Sequence, residues 1–126
     1  AGDDFCVYCG DDLGKMTCLS NGGAGVISVI ANVIPHVVSS FCELIEHQVF
    51  YKAQALESSW SELAEGLSRL PNPTAVKWLL AHQGRSTPYM RHPIAPISYV
   101  EEELLHAIND SCQSLFALTV DLDEPQ

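Results

Sequence analysis

Positive charge is what this sequence has least of: six Lys and Arg stand against 16 Asp and Glu, a formal net charge of −10 at pH 7. A surface that acidic repels phosphate backbones, so neither a nucleic acid nor an anionic membrane is expected as a partner. Long apolar runs are missing too. The best candidate, GVISVIANVIPHVV, is interrupted by Asn32 and Pro35 and falls short of the roughly 20 apolar residues of a bilayer span. No charged head followed by a small-residue cleavage site marks a signal peptide. The chain opens on Ala1 and enters a strand-like run almost at once, as a piece of something longer would.

Metal and disulfide patterns are lacking as well. The five cysteines fall at 6, 9, 18, 42 and 112, an odd number without framework spacing. They are expected as small buried hydrophobes in a reducing, cytoplasmic setting. The five histidines form no H-x-x-x-H pattern, so no metal and no cofactor is expected. What is present suits a packed domain: 126 residues, 47% of them apolar, enough to bury a core.

Phe5 to Cys9 is a short β-prone run ending at Gly10 and predicts a strand buried on both faces. Cys6 and Cys9 then point to opposite faces and cannot chelate one ion. Gly10-Asp11-Asp12 reads as a turn, and Leu13 to Ser20 as a short helix stopped by NGGAG. A second buried strand is predicted over Val26 to Ala31, which completes a βαβ unit. Pro35 suits a first helical turn, with Val37, Val38, Phe41, Leu44 and Ile45 on its apolar face.

A longer helix is predicted from Phe50 to Arg69, with a seam of Ala53, Leu56, Trp60, Leu63, Leu67 and Leu70. Asn72 reads as an N-cap with Pro73 at the first position of the next helix, which Gly84 ends. A proline-punctuated connector follows. SYVE, 98–101, is a capping box that opens a last helix carrying Leu104, Leu105, Ile108, Cys112 and Leu115. The closing DLDEPQ is expected to fray.

Two parallel strands do not make a stable sheet alone. The pattern therefore predicts an α/β chain that is the C-terminal fragment of a (β/α)8 TIM barrel, its last two β/α units, followed by a three-helix C-terminal domain. The expected divisions are 1–47, 48–116 and an acidic tail, 117–126. Chemistry in such barrels sits at strand C-termini, which here means Gly10, Asp11 and Asp12 after the first strand and Asn32 after the second. The two aspartates fit acid–base work or the orienting of an amine, and fit helix capping equally well.

DFCVYCGDD, NGGAGVISVIANVIP, PNPTAVKW and RHPIAPIS stand in an order and spacing that resembles the dihydrodipicolinate synthase family. That family belongs with the pyruvate-dependent, Schiff-base-forming class I aldolases, which include N-acetylneuraminate lyase. The likeness runs from Asp3 to about Leu115, and its most specific stretch is the glycine-rich one. The resemblance implies a lyase of lysine and diaminopimelate biosynthesis, usually a homotetramer, that condenses pyruvate with aspartate semialdehyde. It implies substrate-binding roles for Ile27, whose family counterpart lies beside bound pyruvate, and for Gly10, with Asp11 and Asp12 at the pocket rim.

The family's Schiff-base lysine, catalytic tyrosine and T-G-E loop all precede the matched region, so no catalytic residue is expected in this chain. Lys15, Lys52 and Lys77 are read as solvated or structural lysines without the buried apolar setting that perturbs an amine. Ala75, His92 and Cys9 depart from residues common in the family. The leading expectation is a fragment inactive on its own. Three others stand beside it: a truncated paralogue that assembles through its helical seam, an N-acetylneuraminate lyase relative, and a redox or metal protein built on Cys6 and Cys9.

Overall fold

The structure is a computed structural model that describes residues 4–120. Asp3 and most of the expected acidic tail, 121–126, lie outside the described residues.

The βαβ opening is present. Strand β1 (Tyr8–Cys9), helix α1 (Lys15–Ser20) and strand β2 (Gly25–Val26) follow one another, and the strands pair in parallel with Tyr8 opposite Gly25. The backbone N–H of Ala24 donates to Val7 O at 2.7 Å and that of Ile27 to Cys9 O at 2.8 Å, which carries the ladder past both ends. Between α1 and β2, Gly22 takes φ +88°, and Gly23 N–H returns to Cys18 O at 2.9 Å. This reversal needs the left-handed region that glycine occupies without strain.

The strands are shorter and far more open than the sequence predicts. Phe5, Val7 and Tyr8 are exposed, and Ile27 is 71% exposed. Beyond Val26 the chain bends, and Ile30–Asn32 forms a single 3-10 turn instead of continuing the strand. The apolar pattern was real, but a ladder of two strands supplies no sheet neighbours or helix layer to cover both faces.

Helix α2 (Pro35–Glu46) begins on its proline and buries Val37, Val38, Phe41 and Leu44. The single helix expected over 50–69 is two, α3 (Phe50–Ser59) and α4 (Ser61–Ser68). Trp60 ends one and begins the next with φ −102° and ψ 3°. Its ring is fully buried edge-on against Phe41, centroids 5.1 Å apart. A side chain committed to that tertiary pocket breaks a helix that periodicity alone would continue.

Helix α5 (Thr74–His82) starts one residue later than expected, capped by the Pro73 backbone with no bond from Asn72. Gly84 turns out of it at φ 71°. Helix α6 (Tyr99–Ser111) opens with the expected capping box: Ser98 Oγ accepts from Glu101 N–H, and Glu101 Oε2 accepts from Ser98 N–H at 2.7 Å. A short α7 (Gln113–Phe116) follows.

One core runs from Ile30 to Leu115 and joins all the longer helices. The seam from Ala53 to Leu70 is spent within it. Gly66 on α4 lets α6 come close, since a Cβ there would sit 2.6 Å from Ile108 Cδ1.

Candidate functional site

The parallel register sets the C-terminal ends of β1 and β2 side by side. Gly10, Asp11 and Asp12 leave β1, and Ile27 leaves β2, joined to it by the bond from Ile27 N–H to Cys9 O. Of the four predicted site residues, Gly10, Asp11 and Ile27 are exposed. Gly10, Asp11 and Asp12 line a shallow cleft with Val29 and, across from them, Leu67 and Asn72. Ile27 does not line it.

The two aspartates do different work. Asp11 Oδ1 accepts from Leu13 N–H at 3.1 Å, an Asx turn that shapes the loop. Asp12 reaches across to the other strand end. Its carboxylate accepts from Ser28 Oγ at 2.6 Å, from Val29 N–H at 3.0 Å and from Ile30 N–H at 3.1 Å. Those amides open the 3-10 turn, so Asp12 caps an element 18 residues away in sequence. Burial pushes the Asp12 carboxyl up, but Lys15, Ser28 and the Ile30 amide together outweigh it and hold the group below 3.8.

Lys15 corrects the sequence reading. It is 0% exposed, and its ammonium lies 2.7 Å from Asp12 Oδ1. It sits over the Trp60 ring, 4.6 Å from the centroid, a cation–π arrangement. No other acceptor among the described residues serves the ammonium. The apolar setting that sequence denied to every lysine is made by helices far along the chain. The indole N–H of Trp60 donates to Asp12 O at 3.4 Å, and Glu57 Oε1 accepts from Met16 N–H at 3.0 Å. Asp12, Lys15, Ser28 and Trp60 thus form a latch fastening both strand ends to the α3–α4 junction.

Sequence reasoning missed Ser28, Glu57 and the roles of Lys15 and Trp60. The one signal that pointed there was the lone Ser28 in an otherwise apolar run. The cysteines are also corrected: only Cys112 is buried, and Cys6 is exposed. Partial or full desolvation pushes the thiols of Cys18, Cys42 and Cys112 upward, away from thiolate chemistry. Among the described residues, no three His, Cys, Asp or Glu side chains gather in a way that could hold a metal ion.

A βαβ opening with paired strand ends, backed by a helical body, places the chain in the α/β class, where ligand sites commonly lie at strand C-termini. The known proteins that this chain resembles narrow that class. The sequence model of the dihydrodipicolinate synthetase family matches residues 1–111. The 4-hydroxy-tetrahydrodipicolinate synthase of Wigglesworthia glossinidia brevipalpis is 38% identical over 99 residues, 78% of this chain and 33% of that protein.

Among solved structures, the synthase of Methylacidiphilum fumariolicum SolV superposes with a TM-score of 0.82 at 30% identity, over 90% of this chain and 38% of that one. The chloride-inhibited synthase of Acinetobacter baumannii, solved with pyruvate, gives 0.81 at 28% identity, over 86% and 38%. The chain belongs to the dihydrodipicolinate synthetase family, and it spans about a third to two-fifths of the length of the relatives it matches. Among the described residues, no helix is long and apolar enough to cross a membrane.

Proposed function

We propose that this chain forms one wall of the substrate pocket of a pyruvate-dependent lyase, with the reacting lysine supplied by the part of the family fold it does not span. In that reading residues 1–47 are the last two β/α units of the barrel and 48–116 its helical domain, within a homotetrameric assembly. A lysine amine condenses with the pyruvate carbonyl, releasing water and leaving an imine. Loss of a methyl proton gives the enamine, whose carbon attacks the aldehyde of aspartate semialdehyde.

The observation that carries the reading is the bond between Ile27 N–H and Cys9 O, which sets Ile27 beside Gly10 on one open face in a chain of this family. Gly10 and the Ile27 backbone are the surfaces against which pyruvate lies. Nothing stands within 4 Å of a Cβ built on Gly10, so the glycine leaves its space to a ligand. Asp11 stays at the rim, and Asp12 acts through the Ser28–Ile30 segment it holds, as a positioning residue.

Neither Lys15 nor Lys77 is placed to form the imine. Lys15 is sealed by Asp12 and Trp60, and the Lys77 ammonium donates to Tyr89 O in the connector before α6. Incubated with pyruvate and borohydride and weighed intact, the chain is expected to keep its own mass. A pyruvate adduct on Lys15, Lys52 or Lys77 would overturn the inactivity of the lone chain.

A further inference from the structure

The helical body holds more open space than the strand ends do. The strand-end cleft encloses about 130 Å³, whereas a hollow between α5 and the connector leading to α6 encloses about 520 Å³. Small-molecule sites commonly measure about 300–1,000 Å³, a range that takes in the hollow and leaves out the cleft. Tyr89, Met90 and Ile94 give the hollow apolar walls, and three basic side chains, Lys77, Arg91 and His92, share its lining.

That charge runs against the composition of the chain, which has six Lys and Arg and 16 Asp and Glu. Two of the six line this hollow, and among the described residues no Asp or Glu lines it. The net negative charge repels anions from a distance, but salt at physiological strength screens exposed charges beyond about 8 Å. Inside the hollow the local cations prevail. Lys77 is fixed in place: it is half-buried, and its ammonium donates to Tyr89 O, which leaves its other N–H groups able to donate.

An adjoining hollow shares Tyr89, Met90, His92 and Ile94 and adds Trp78 and Glu102. Trp78 is a preset wall. Its indole is stacked on His82 with centroids 4.9 Å apart and meets His106 edge-on at 4.8 Å. A wall held before a ligand arrives lowers the ordering cost of binding. Glu102 sets which way round an anion lies, with its charge toward Lys77 and Arg91 and its apolar part toward Trp78.

We propose that the hollow between α5 and the connector binds a small organic acid, a carboxylate carried on an apolar body the size of an aromatic ring. The carboxylate accepts from the Arg91 guanidinium and the remaining Lys77 N–H groups, a charge-assisted pairing. The body covers Tyr89, Met90 and Ile94, which a bare inorganic anion would leave in water. The site shares no lining residue with the strand-end cleft and does not depend on the pyruvate reading.

The test titrates the nitrogen-labelled full chain with phenylacetate, with its uncharged counterpart phenethyl alcohol, and with inorganic phosphate, and follows amide and indole NMR signals. Phenylacetate is expected to shift the Trp78 indole and the amides of residues 77–78 and 89–94 saturably. The alcohol and phosphate are each expected to bind at least tenfold more weakly. Arg91→Gln, at an exposed position, is expected to weaken phenylacetate about threefold, the scale of an exposed charge pair. Arg69→Gln removes an exposed cation outside the hollow and is expected to leave the affinity unchanged.

No saturable shift at those residues, or shifts centred on the strand ends, would overturn the site. So would an alcohol or a phosphate that binds as tightly as the acid, and so would equal losses in Arg91→Gln and Arg69→Gln.

Discussion

Replacing Asp12 by asparagine and, separately, Lys15 by methionine removes one charge each from the same ion pair, yet the two changes have very unequal consequences. Asp12→Asn leaves the Lys15 ammonium fully buried against an indole ring with no counter-charge. Breaking a buried pair from one side costs about 3–5 kcal/mol. The new carboxamide also turns a donor toward the cluster of Ser28, Val29 and Ile30 donors, where the carboxylate had only accepted.

Lys15→Met keeps the shape of the side chain and removes the charge that needed a partner. Asp12, 12% exposed, retains its hydroxyl and both amide donors, so the cost is about 1 kcal/mol or less. Urea unfolding at pH 7 reads the difference. With a slope of about 2 kcal/mol per molar, Asp12→Asn lowers the midpoint by about 1.5–2.5 M and Lys15→Met by about 0.5 M or less. Equal midpoints for the two variants, or a larger loss in Lys15→Met, would refute the reasoning.

Acid exposes the same carboxylate from another side. The Asp12 carboxyl is held below 3.8 in the folded chain, so the folded state binds fewer protons than the unfolded one near that pH. Its contribution is complete above the unfolded value and is lost as pH falls through the folded one, which a series of urea midpoints from pH 5 to pH 2 checks against the flatter profile of Asp12→Asn. Gly23→Ala places a Cβ 2.6 Å from Cys18 Sγ and 2.8 Å from Cys18 O; a thermal melt is expected to show a loss of about 1–3 kcal/mol. Gly10→Ala, with open space above it, is expected to leave the melt of the lone chain unchanged. Gly66→Ala drives a methyl group into Ile108, and a double-mutant cycle with Ile108→Ala is expected to recover at least 0.5 kcal/mol of the single-variant loss.

Where the signal was local, the sequence was readable. The capping box at Ser98 and Glu101, the helix start at Pro35 and the glycine reversal after α1 depend on residues within a few positions of one another, so composition and spacing sufficed. The βαβ order was readable for the same reason. Asp12 was half readable: its place after the strand marked it, but both local alternatives, helix cap and acid–base group, missed its actual partners. Those lie 16 to 18 residues away, and only the parallel register brings them near.

Family membership and chain order were determined by sequence alone, because both are carried by short motifs and their spacing. Tertiary structure decided the rest. It broke the helix at Trp60, whose ring belongs to a pocket shared with Phe41 and Lys15. It buried Lys15, which nothing beside it in sequence would hide. It also left Tyr8 and Ile27 in the open. An apolar strand pattern records the surroundings a segment is built for, while burial depends on which neighbours are present to cover it.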